Sequence, residues 1–173
     1  MAKIGLTKLG LKENKDIKTI TYNNTEIEVK QYLPVNDKLQ LIGNVMNSAH
    51  QTNFPNPVLI EVFGSLEIIY AYTNINFTDK QKEDPMKLYD LLNSSGLIDA
   101  VVGAIPEVEY ETVIDGIGDT IEAYYNYNNS VLGILENIKA DYSNLDIEAT
   151  KISEKLSDEK NLGLLKEVVT KLG

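Results

Sequence analysis

Two periodicities divide the chain. From Ile17 to Tyr22 β-forming and polar residues alternate, Asn23-Asn24 suits a tight turn with positive φ, and Glu26 to Tyr32 alternates again, which predicts a β-hairpin over residues 17–32. In its second strand Ile27 and Val29 point one way while Glu26, Glu28 and Lys30 point the other, so one face is expected to cover helices and the other to meet solvent. Leu33-Pro34 closes the strand. From Val35 the period becomes helical. Leu39, Ile42, Val45 and Met46 form an apolar stripe that stops near the loop Asn53 to Pro57, and Leu59, Val62, Phe63, Leu66, Ile69 and Tyr70 form a second, the expected core helix.

The helical pattern continues to the end of the chain. Thr78 is placed to cap a helix that begins at Asp79, and Pro85 is placed to begin the next, with stripe residues Met86, Tyr89 and Leu92 and a break at Ser94-Ser95-Gly96. A short apolar helix is expected over Gly96 to Ile105. Pro106 then opens one that carries Val108, Val113 and Ile114 and is interrupted at Gly116 and Gly118. Asp119 to about Tyr142 gives the longest predicted helix, with Ile121, Tyr124, Tyr125, Val131, Leu132, Leu135 and Ile138 inward and a kink allowed at Asn126, Asn128 and Asn129. Leu145 to Ile152 and Asn161 to Leu172 complete the set, the latter started by Ser157-Asp158. The fold class is mainly α, within α+β: an N-terminal arm over 1–16, then a single domain over 17–173. That domain comprises the hairpin and a multi-helix bundle over 34–173.

Charge sharpens this division. Residues 1–18 hold five lysines against Glu13 and Asp16, a balance of +3, whereas residues 19–136 hold five lysines against seventeen acids, a balance of −12. A basic arm on an acidic body can dock on the body of a neighbouring copy, head to tail, or remain a solvated tail. All sixteen basic residues are lysine, and the whole chain carries a formal charge of −10. Without the planar guanidinium of arginine, and with a net charge that repels a polyanion, nucleic acid is not an expected partner. The first twenty residues never reach the apolar run of a signal peptide, and no stretch approaches the roughly 20 apolar residues of a membrane helix. A membrane is therefore not an expected partner either.

Few residues offer chemistry. With no cysteine and His50 as the single histidine, thiolate catalysis, Cys- or His-rich zinc sites and most triads are excluded. His50, at a predicted helix end, suits capping better than catalysis. Glu107, Glu109, Glu111, Asp115, Asp119 and Glu122 offer carboxylate oxygens to calcium, but their spacing is not that of an EF-hand loop, and a solvated acidic helix face is the stronger reading. Gly116-Ile117-Gly118 lacks the rest of a nucleotide-binding pattern. The tyrosine-rich run Ala123 to Asn129 reads as one amphipathic helix or as a contact surface. No enzyme activity and no cofactor are expected. The expected contact residues are Lys3, Lys8, Lys12 and Lys15 of the arm with Tyr22 and Tyr32 of the hairpin.

The segments Ile27-Glu28-Val29-Lys30-Gln31-Tyr32-Leu33-Pro34-Val35-Asn36-Asp37-Lys38 and Asn74-Ile75-Asn76-Phe77-Thr78-Asp79-Lys80-Gln81-Lys82-Glu83-Asp84-Pro85, with the arm Thr7 to Leu11 and the ending Thr170 to Gly173, carry a family likeness. In their style the chain resembles structural-module proteins of tailed bacteriophages of low-GC Gram-positive bacteria. The resemblance implies a virion structural protein, a multi-copy component of capsid, neck or tail that is assembled in the host cytoplasm. Its partners would be other virion proteins and copies of itself. An assembly chaperone absent from the mature particle is the alternative. The family has no catalytic motif to carry over.

Overall fold

In the computed structural model residues 3–49 and 56–139 are described, and the chain falls into two compact units, Met1–Glu122 and Ala123–Gly173. The fold is mainly helical, with an arm and a two-stranded antiparallel hairpin preceding the helices. Strands β1 (Ile17–Tyr22) and β2 (Thr25–Lys30) pair from Ile17 opposite Lys30 to Tyr22 opposite Thr25. Asn23 and Asn24 take φ of 45° and 62°, the two left-handed residues that a two-residue hairpin turn requires. As the alternation demands, Ile27 and Val29 are buried while Glu26, Glu28 and Lys30 face solvent. Burial of those two side chains contributes roughly 2 kcal/mol each.

Six helices follow among the described residues of the first unit: α1 (Val35–Ala49), α2 (Pro57–Tyr72), α3 (Asp79–Lys82), α4 (Pro85–Ser94), α5 (Leu97–Val102) and α6 (Glu107–Asn128), the last running on into the second. The central one is α2, which packs against α1, α4 and α5 and buries Val62, Leu66, Ile68, Ile69 and Tyr72. Asn56 starts it by accepting a hydrogen bond from Val58 N–H at 2.9 Å, with Pro57 in the first turn. Thr78 caps α3 in a reciprocal box with Gln81, and Asp84 caps α4 ahead of Pro85. At the predicted break Gly96 supplies a left-handed residue with φ of 76°. The hairpin is sewn to this body by a bridge between Val29 and Thr73 and by the Tyr22 hydroxyl, which donates to the Ser95 carbonyl at 2.6 Å.

Several elements depart from the pattern read in the sequence. In α1 the buried residues are Leu41, Val45 and Ala49, with Leu39 exposed, and in α4 they are Leu88 and Leu92, with Met86 partly exposed. Both stripes were placed a fraction of a turn away, because each helix offers apolar residues on more than one face and only its neighbours choose between them. α5 ends at Val102 instead of Ile105, since Pro106 disfavours helical backbone in the residue before it. Gly116 and Gly118 do not interrupt α6: each is worth about 1 kcal/mol against a helix interior, which packing of Val113 and Ile117 on one side of the helix outweighs.

The asparagine run ends α6 where the expected helix continued with a kink. Asn129 and Ser130 form a turn, and residues 131–139 are helical again. Ser130 starts this segment, its hydroxyl accepting from Gly133 N–H at 3.1 Å. Gly133 is needed there because a Cβ would collide with the Tyr127 carbonyl. With the register interrupted, Val131, Leu132, Leu135 and Ile138 are exposed instead of forming an inner face. His50, the loop 51–55 and the helices expected beyond residue 139 lie outside the described residues.

Candidate interaction surface

The arm is exposed at every position from Lys3 to Asp16. Gly5 and Gly10 bound a single 3-10 turn, Leu6–Leu9, and the left-handed Gly10 (φ 58°) sends the chain out of it. Its root is shaped by an Asn14 side chain accepting from Asp16 N–H at 2.9 Å and by an exposed Lys15–Glu13 pair at 3.2 Å. Lys3, Lys8, Lys12 and Lys15 thus stand in solvent, as does Tyr32 in part. Beside them the structure adds a feature missed in the sequence: Ile4 (70% exposed), Leu6 (72%), Leu9 and Leu11 (70%) are uncovered as well. Their spacing of two, three and two residues between the lysines was the available signal.

Tyr22 and Tyr32 part company. Tyr22 is half-buried and engaged with Ser95, so it fastens the hairpin to the body. Tyr32 stays partly exposed under Lys38, whose ammonium lies 4.8 Å from the ring centroid. Beside it a groove of about 470 Å³ opens where the arm meets the hairpin, with Ile17, Tyr32, Pro34 and Val35 in its wall. The buried Ile27 and Val29 use the hairpin's apolar face inside the molecule, whereas the arm's apolar residues are left without cover.

The six acids of α6 do not share one environment. Glu109 is 8% exposed, facing inward from the first turn. Its Oε1 accepts from Leu33 N–H and from the Tyr72 hydroxyl, both at 2.8 Å, and its Oε2 meets Lys38 Nζ at 2.7 Å. This carboxylate joins the hairpin exit, α1, α2 and α6, and three donors replace the water it has lost. Burial, then the hydrogen bond and charge of Glu109, hold the Tyr72 hydroxyl protonated well above the usual tyrosine range. Glu109 therefore corrects the reading of these acids as one solvated face. It escaped notice because a lone glutamate inside an acidic run carries no mark of the donors that will meet it.

The other five, Glu107, Glu111, Asp115, Asp119 and Glu122, are exposed. At 3.6 residues per turn they fall within an arc of about 120°. Val108 is 75% exposed in the same arc, and Ile114 is exposed at its margin; the inward register belongs to Glu109, Val113 and Ile117. Gly118, inside the arc near its Glu107 edge, has open space where a Cβ would stand. In the second unit Tyr127 is partly exposed and its hydroxyl bonds Glu136.

Among the described residues no group of three or more metal-ligating side chains is assembled, and no helix is long and apolar enough to cross a membrane. Comparison with protein-family models, with curated proteins and with solved structures finds no match to this chain.

Proposed function

We propose that the chain is a structural component of a tailed-phage particle, present in many copies in capsid, neck or tail, and that it works by protein contacts, without catalysis. Copies of itself and other virion proteins are its partners, and the virion is its location. The observation that carries this reading is the arm: residues 3–16 hold Ile4, Leu6, Leu9 and Leu11 in water without burying any of them. Apolar side chains presented in this way gain free energy when a second surface covers them. The resemblance of the hairpin exit and the 74–85 segment to phage structural modules supports the same reading.

The test is incorporation. A chain lacking residues 2–16 should fold and yet be missing from purified particles, and normal incorporation would defeat the role given to the arm. Quantitative mass spectrometry of particles made with the intact chain sets its place: copies on the scale of the major capsid protein indicate a shell or lining, and a handful indicates a ring of the neck or tail. The second reading is an assembly chaperone that leaves before maturation. It draws on the exposed Val131, Leu132, Ile134 and Leu135, which offer an apolar surface to a client segment. Absence from particles, with recovery of one virion protein from assembling cells, would select it.

A further inference from the structure

We propose that the arm of one copy lies along the outer face of α6 of a second copy. The proposal rests on the reading of the arm as the inter-subunit element, and it names the surface that receives it. Charge complementarity commits the occupant. Between Lys87 and Lys139 the chain contains nine acids and no lysine, and Glu107, Glu111, Asp115, Asp119 and Glu122 of that stretch are presented in one arc. None of these five makes an ion pair among the described residues. The arm offers Lys3, Lys8, Lys12 and Lys15, all exposed.

Apolar content matches as well as charge. Ile4, Leu6, Leu9 and Leu11 are interspersed with the arm's lysines, while Val108 and Ile114 lie among or beside the carboxylates and Gly118, near one edge of the arc, leaves a position there without a side chain. An arm laid here would pair its ammonium groups with carboxylates and cover apolar side chains on both partners. Length suffices: from Lys3 to Lys15 an extended chain reaches up to about 40 Å, and α6 from Glu107 to Glu122 spans about 24 Å. The contact is head to tail, because arm and receiving face are different surfaces of the same chain. It therefore propagates to a ring or a filament.

Charge reversal on full-length protein tests this, read as association by analytical ultracentrifugation at low and high salt. One variant carries Lys8→Glu, Lys12→Glu and Lys15→Glu, the other Glu111→Lys, Asp115→Lys and Asp119→Lys. The intact chain is expected to self-associate, less tightly at high salt, and each variant alone to associate roughly tenfold or more weakly. Mixing the two should restore association, since each then offers an arm opposite in sign to the other's face. Restoration also shows that both variants are folded.

Undiminished association of the α6 variant, or no recovery on mixing, would overturn the proposed receiving face. An intact chain that stays monomeric at both salt concentrations would overturn contact between copies. Neither result touches the structural-component reading, which particle incorporation decides separately.

Discussion

Glu109 shows how much a single side chain organises. Its carboxylate accepts from backbone, hydroxyl and ammonium donors that come from three different parts of the chain. Removing it strands a buried N–H and hydroxyl together with the mostly buried Lys38. Glu109→Ala is therefore expected to lower stability by about 3 kcal/mol. Glu109→Gln, which keeps an acceptor for Leu33 and Tyr72, should lose about half as much. Urea unfolding midpoints at constant slope measure both. Tyr72 adds a dependence on pH. Its hydroxyl keeps its proton in the folded state beyond the ordinary tyrosine value of 10.0, so above about pH 10 the unfolded chain alone releases that proton and becomes relatively more favourable. Stability should thus be full below pH 10 and fall as pH rises further. Tyr72→Phe should make that fall shallower without abolishing it, because burial and the neighbouring Glu67 and Glu61 also raise Tyr70 and Tyr89 respectively. Urea unfolding at a series of pH values from 8 to 11 provides the comparison.

At the scale of the element, α6 carries two glycines with different surroundings. A Cβ at Gly118 would meet nothing, whereas one at Gly116 would stand 2.8 Å from Cδ1 of Ile42 on α1. Both positions lie inside a helix, where alanine is favoured over glycine by about 1 kcal/mol. Gly118→Ala is accordingly expected to raise the melting temperature. Gly116→Ala should leave it nearly unchanged, the gain in helix preference being offset by displacement of Ile42. Thermal melts followed by circular dichroism distinguish the two, and an equal gain at both would show that α1 and α6 do not approach closely there. Gly133 differs from either, because the obstacle is backbone: the Tyr127 carbonyl cannot rotate away as the end of a side chain can. Glycine at 133 permits the close turn after Asn128, with Ser130 as the new helix start, and that turn moves Val131, Leu132, Leu135 and Ile138 off a stripe drawn straight through the asparagines.

At the scale of the whole molecule, the proposed function gives the arm and the body separate tasks. No arm residue from Lys3 to Asp16 is buried, so the chain lacking residues 2–16 should melt within a few degrees of the intact one while failing to enter particles. A large loss of stability would mean that the arm serves its own body. The hairpin with its Asn-Asn turn, the inward Ile27 and Val29, the cap at Thr78, the helix start at Pro85 and the basic arm on an acidic chain were all legible in the sequence, because local backbone preference, strand alternation and charge depend on neighbours along the chain. What only the tertiary structure decided was which of several apolar faces turns inward on α1, α4 and α6, and which acid among six is taken out of water. Those choices depend on partners distant in sequence. Glu109 is stable inside because Leu33, Lys38 and Tyr72 arrive around it, and nothing in the spacing of residues 107–122 records their arrival.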